Sequence, residues 1–140
     1  MRAMRNVLVL AVAAVALSGC NGERLGDFTE TNTANGRWTL TGQLIRSYDV
    51  PLQSAMDTIT KWYESSGSLM TDRRLDRDGS HAVIDGRLKN GVSVEWEIWA
   101  KANGPTDVGV KVGEGDQKAS SDLLNTLERS LPGKRIGAGQ

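Results

Sequence analysis

The sequence predicts an α+β domain: a mainly antiparallel five-stranded sheet with two helices packed on one face, in the order β-α-β-β-β-β-α. Three observations carry this reading. Residues 52–63 and 119–131 place apolar side chains three and four apart, the period of a helix with one buried stripe. Four strand-like runs lie between them, separated by Asp78-Gly79, Asn90-Gly91 and Asn103-Gly104-Pro105. Ahead of the first helix, Trp38, Leu40 and Leu44 alternate with Thr39, Thr41 and Gln43, the period of a strand.

The chain opens with Arg2 and Arg5, then an apolar run over residues 7–17 that closes on Leu17-Ser18-Gly19-Cys20. A basic start, a short apolar stretch and small residues form a signal peptide over 1–19. Eleven apolar residues are too few to span a bilayer, which takes about 20. Cys20 straight after Leu-Ser-Gly resembles the lipobox of bacterial lipoproteins. That resemblance implies removal of the preceding peptide and lipidation of Cys20 with three acyl chains, and two or more chains anchor stably. It also accounts for the single cysteine of the chain, since a free exported thiol is a reactive liability. Asn21, in place of the Asp that retains such proteins at the inner membrane, implies a lipid-anchored protein of the outer membrane facing the periplasm.

Cleavage removes two arginines and no acid from a chain with 17 basic and 17 acidic residues, leaving a formal charge of −2. No basic excess exists to neutralise phosphates, so nucleic-acid binding is not expected. Residues 21–36 are Gly, Thr, Asn and charged residues with Ala34 and only two larger apolar residues, Leu25 and Phe28, so that 20–36 reads as the lipidated Cys and a flexible tether. Sixteen residues of coil span about 20–24 Å. A single domain is expected over 37–132, followed by a disordered tail at 133–140.

Each element of the domain has its own signals. Pro51 suits the first turn of a helix whose stripe is Leu52, Ala55, Met56, Ile59, Trp62 and Tyr63, closed by Ser65-Ser66-Gly67. The last stripe, Ala119, Leu123, Leu124, Leu127 and Leu131, has Asp116 as its cap and ends at Pro132-Gly133. Strand register follows from the loops, because a one-residue slip turns every side chain to the other face. A three-residue loop, Lys89-Asn90-Gly91, pairs Leu88 with Val92, Ile84 with Trp96 and Ala82 with Ile98, and leaves Gly91 at the left-handed position. A two-residue loop at Asp78-Gly79 pairs Leu75 with Ala82 and Leu69 with Leu88, and sets Arg73 opposite Ile84. Arg73 then needs a bulge, or a stem lying along the apolar face. The inner face holds Leu69, Leu75, Ala82, Ile84, Leu88, Val92, Val94, Trp96, Ile98, Val108, Val110 and Val112. The other face shows Asp85, Arg87, Glu95, Glu97 and Lys111, and the helices cover the apolar side.

Tyr48-Asp49-Val50-Pro51-Leu52, then residues 106–113, Gly115-Asp116 and Ser121 ahead of the last stripe, resemble a family of small bacterial lipoproteins known only as a domain of unknown function. The similarity covers residues 46–131. The element order is also similar to the helix-grip domains of an accessory lipoprotein of the outer-membrane β-barrel assembly machine. Neither resemblance supplies a catalytic residue.

Candidate sites are few. Gly113-Glu114-Gly115-Asp116 lacks the Lys-Ser/Thr pair of a phosphate loop, and its acids would repel an anion; it reads as a turn and a cap. Asp76-Arg77-Asp78-Gly79 fails as a calcium loop, because the twelfth position is Arg87. His81, the only histidine, falls on the outer face near Trp99 without a serine in a strained elbow. Glu95 and Glu97 share the outer face, where an acid/base pair is conceivable and a solvated surface simpler. Trp99 is the distinctive residue: Trp96 faces the core, so Trp99 faces out, either as an anchor for a partner or packed on the stems of Lys101 and Arg87 or on the N-terminal segment.

The expectation is therefore a non-catalytic interaction module in envelope assembly or maintenance, bound to the membrane through Cys20 and to an envelope protein through Trp99. No metal, cofactor or nucleic acid is implied. The alternatives are a small-molecule or lipid binder using a groove between the 52–63 helix and the sheet, and a hydrolase using Glu95 and Glu97 or His81.

Overall fold

The computed structural model describes residues 31–102 and 104–137. The stretch read as a signal peptide, and Cys20, Leu25 and Phe28, lie outside the described residues. Among the described residues eight strands and two helices follow in order: β1 (Thr31–Thr33), β2 (Gly36–Trp38), β3 (Leu44–Tyr48), α1 (Leu52–Ser66), β4 (Leu69–Leu75), β5 (His81–Arg87), β6 (Ser93–Ala100), β7 (Thr106–Val112), α2 (Gln117–Glu128) and β8 (Arg135–Ile136). The sheet is antiparallel throughout, with strand order β1-β2-β3-β7-β6-β5-β4 and β8 on β3. The predicted α+β class holds, and the segment from β3 to α2 has the predicted element order. The predicted count of five strands does not hold.

The three additional strands correct both domain boundaries. Within the stretch read as tether, Thr31–Thr33 and Gly36–Trp38 form a hairpin, with Thr33 paired to Gly36. The stretch read as a disordered tail contains β8, where Arg135 pairs with Tyr48 and Ile136 with Ser47, and Asp49 N–H donates to the Lys134 carbonyl at 2.9 Å. The alternating stretch at Trp38, Leu40 and Leu44 is not one strand. It is the end of β2, a turn and the start of β3, with Gly42 at φ 88° and Leu40 at the tip, 79% exposed.

Both helices start and stop where their chemistry directs. Pro51 precedes α1 at φ −66°, and Gly67 ends it at φ 75°, the left-handed conformation that glycine adopts without a Cβ penalty. Asp116 Oδ1 accepts the Ala119 N–H at 2.9 Å and caps α2. Leu52, Ala55, Met56, Ile59 and Tyr63 of α1, with Leu124 and Leu127 of α2, pack on the inner face of the sheet. There they meet Leu44, Tyr48, Ala82, Ile84, Val94, Trp96, Ile98, Val108, Val110 and Val112. Burying a Val, Ile or Leu side chain contributes about 1.5–3 kcal/mol, so this layer is the main source of stability. Burial pushes the Tyr63 hydroxyl up to about 12, partly offset by the Trp96 indole N–H.

The β5–β6 hairpin has the predicted register. Ile84 pairs with Trp96 and Ala82 with Ile98, Leu88 N–H donates to the Val92 carbonyl, and Gly91 sits at φ 86°. The β4–β5 register matches near the loop, with Leu75 opposite Ala82 and Arg73 opposite Ile84, and then shifts at a bulge between Met70 and Asp72. The bulge corrects the placement of Leu69, which faces Arg87 and is 62% exposed, while Met70 packs on the core in its place. Arg73 stays on the helix side and reaches Asp57 of α1 at 3.6 Å. Leu75, at the end of an edge strand, is 47% exposed rather than buried.

A polar cluster ties β3, α2 and β8 together. Arg46, 2% exposed, donates from Nη1 to Asn125 Oδ1 at 2.7 Å and lies 3.4 Å from Glu128, and its Nε bonds to the Asn35 carbonyl. Glu128 also accepts from Tyr48 Oη at 2.8 Å and from Arg135 Nε and Nη2 at 2.9 and 3.0 Å. Burial raises the Glu128 carboxyl, but the Arg135 and Tyr48 hydrogen bonds and the charges of Arg135 and Arg46 outweigh it and hold it below the usual range.

Candidate functional site

With both helices on the inner face, the outer face of the sheet is where chemistry-bearing side chains collect. His81, Trp99 and Asp107 form one cross-strand row, continued by Ser47. Val83, Glu97, Gly109, Ile45 and Arg37 form the next. Asp72, Asp85, Glu95 and Lys111 form a third.

Trp99 is on this face, as its alternation with Trp96 requires, and is partly exposed. Its indole leans diagonally over Gly109 of β7: a Cβ at Gly109 would stand 3.2 Å from Trp99 Cζ3 and 3.0 Å from the Gln43 amide. The missing side chain is what lets the indole rest on the strand. On the other side the His81 ring lies 5.8 Å away at 33°. The expected packing on Arg87 does not occur; Arg87 pairs with Ser93 and bonds to the Gly91 carbonyl at 3.0 Å.

The polar groups around Trp99 are paired. Glu97 accepts from Gln43 Nε2 at 3.2 Å and contacts His81 Nε2 at 2.8 Å, and His81 Nδ1 lies 3.3 Å from Asp76. Asp107, buried, accepts from Arg37 at 2.9 Å and Ser47 at 2.5 Å, with Lys101 3.4 Å away. The Arg37–Asp107 pair crosses from β2 over β3 to β7 and fixes the added hairpin to the platform.

The structure separates Glu95 from Glu97. Glu95 lies opposite Asp85 and Lys111, in a groove of about 370 Å³ that also includes Arg87 and Gly113. Glu97 is held by His81 and Gln43. Both nitrogens of His81 face carboxylates, so neither is open toward a hydroxyl nucleophile. Among the described residues there is no group of three or more His, Cys, Asp or Glu placed to hold a metal.

A second groove, of about 300 Å³, is lined by Arg37, Ile45, Ser47 and Ile136 and continues the Trp99 face toward β2 and β8. The space between α1 and the sheet, where a ligand groove was expected, is filled by Met56, Ile59, Trp96 and Ile98, each at most 1% exposed. An apolar groove of about 300 Å³ lies instead beside α2, between Leu123 and Leu88. Sequence reasoning missed Gly109, Gln43 and Asp107, since a glycine ten residues from the tryptophan, brought beside it only by the β6–β7 pairing, leaves no periodic signal.

A family model for proteins of unknown function, DUF3568, matches residues 4–130. The chain belongs to this family. The match takes in the N-terminal apolar run, both described helices and β1 through β7, and fits the expected resemblance to a domain of unknown function without bearing on its lipoprotein character. No curated protein gives a significant match to the chain. Family membership assigns neither an activity nor a site.

Proposed function

We propose that the protein is a lipid-anchored module of the bacterial envelope which holds a partner against the outer face of its sheet. Cys20 is the attachment point, Trp99 the centre of contact, and no reaction is catalysed. The observation that carries the reading is Trp99 itself, a large aromatic laid over Gly109 on a face that neither helix covers. Aromatic side chains of this kind anchor interfaces because they bring contact area at low entropic cost. The lipobox and Asn21 support placement in the outer membrane facing the periplasm, and the paired state of His81 and Glu97 supports a non-catalytic role.

The reading is tested by fractionation and crosslinking in cells. The wild-type chain is expected in the membrane fraction and Cys20→Ala in the soluble fraction; a membrane-bound Cys20→Ala would overturn the anchor. A photo-crosslinker at Ser47, on the outer face, is expected to capture an envelope component and to lose it when Trp99 becomes Ala. Capture unaffected by Trp99→Ala would place the contact elsewhere.

A further inference from the structure

We propose that the end of the domain joined by the tether lies against the lipid bilayer, with Leu40 dipped into the bilayer interface. This rests on the reading of Cys20 as the lipid attachment point and adds which surface of the domain that anchor brings down. Two features select the bilayer as the occupant of this end.

The first is where the exposed apolar side chains fall. Register decides what shares an end of the sheet: Thr31 pairs with Trp38, Trp38 with Leu44, Leu44 with Val110, Val94 with Val112, and Arg87 with both Ser93 and Leu69. Thr31, the turns at 39–43, 88–92 and 113–116 and the start of β4 therefore lie at one end. Leu40 and Leu69, the two most exposed large apolar side chains of the described residues, are both here. Leu75 and Ile136 are at the other end, opposite Ala82 and Ser47. Leu40 stands out from a turn closed by polar bonds: Thr39 Oγ1 lies 3.0 Å from Thr41 Oγ1 and accepts the Gln43 N–H at 3.1 Å. Gly42 packs backbone to backbone on Gly115, which braces this turn against the one ahead of α2. An ordered turn that presents a leucine to water gains by placing it in an apolar phase.

The second is the reach of the chain. Thr31 follows Cys20 by eleven residues, which as coil span about 17–20 Å and extend to at most about 36–40 Å. Strands of seven and eight residues are themselves about 23–27 Å long, so this end of the sheet is the one that the anchor keeps nearest the bilayer. On so short a tether a weak apolar contact becomes intramolecular, and the bilayer outcompetes any free partner for Leu40. The turns at 39–43, 88–92 and 113–116 carry Lys89, Glu114 and Asp116, one base against two acids. They offer no basic cluster to draw in anionic lipid, so the contact is apolar and suits a zwitterionic surface. With the strands rising from the bilayer, the face that carries Trp99 stands to the side.

The test reconstitutes the lipidated chain, purified from cell membranes, in phosphatidylcholine vesicles that carry an acceptor dye on the lipid headgroup. With Cys20 acylated, a donor dye is attached through Thr41→Cys beside Leu40, or through Arg77→Cys in the exposed turn between β4 and β5 at the far end. Energy transfer is expected to place the donor at 41 nearer the lipid than the donor at 77 by about 20–25 Å, the length of the seven-residue strand between the two ends. Leu40→Asp, at an exposed position where substitution leaves the thermal transition unchanged, is expected to shrink that difference while the chain still floats with the vesicles. Equal transfer from the two positions, or a difference that Leu40→Asp does not reduce, would overturn the inference and leave the anchor standing. A chain that does not float with the vesicles would overturn the anchor itself, and this inference with it.

Discussion

Ser120 shows how a single polar residue can sit in an apolar stripe without weakening it. It lies four residues before Leu124 and seven before Leu127, so it points into the core, and it is fully buried. Its Oγ accepts the N–H of Val112, the last residue of β7, at 3.1 Å. The N–H of a strand end is thereby satisfied from the helix that follows it. Ser120→Ala removes the acceptor and leaves that N–H buried and unpaired, which costs about 1–3 kcal/mol. Urea unfolding should show a lower midpoint with an unchanged slope, because the surface exposed on unfolding is the same. Trp99 and Gly109 illustrate the converse. The outward direction of Trp99 follows from strand alternation alone, but its resting place depends on a residue ten positions away, brought beneath it by the β6–β7 pairing.

Among the elements, the β5–β6 hairpin was the most legible, because only one loop length puts Ile84, Trp96, Ala82 and Ile98 on a common face. Asp116 was legible for a similar reason, as a short acidic side chain placed just ahead of a helical stripe. Replacing it with Ala frees the Ala119 N–H and is expected to cost about 1 kcal/mol; thermal unfolding of Asp116→Ala against Asp116→Asn, which keeps the cap, measures it. The bulge in β4 was readable only as a conflict, since Arg73 had no comfortable place opposite Ile84. The structure resolves the conflict by keeping Arg73 inward beside Asp57 and slipping the register one step later, so that Leu69 turns out and Met70 turns in. β1, β2 and β8 were not legible. They are two or three residues long, rich in Thr, Asn, Gly and Arg, and bury no periodic apolar face. Backbone pairing of β2 and β8 to β3 and of β1 to β2, with side-chain bonds from Arg46, Arg37 and Arg135, holds them, and such long-range partners leave no mark in a local window.

For the molecule as a whole, the Glu128 cluster matters most, because it joins the last helix, the central part of the sheet and the strand added at the C-terminal end. Tyr48 and Arg46 reach it from β3, and Arg135 reaches it from β8 while donating to the Ala34 carbonyl of the β1–β2 turn at 3.2 Å. One carboxylate thus connects both of the segments that sequence reasoning placed outside the domain. Its pKa lies below the ordinary value of 4.5 in the folded state. A depressed carboxyl stabilises the fold above its unfolded pKa, and that contribution is lost as pH falls through the folded pKa. The wild-type chain should therefore lose stability progressively as pH drops below about 4.5. Glu128→Gln keeps an oxygen acceptor for Tyr48 but carries no charge, so it should be less stable at neutral pH and show a flatter acid dependence. Chemical denaturation of both chains from neutral pH down to the acid range reads the difference directly. Parallel curves would mean that the arginines hold their places without the carboxylate. Convergence at low pH would locate the attachment of β8 and the β1–β2 turn in this one charge, and hydrogen exchange at the Asp49 amide, which donates to Lys134, should accelerate in step.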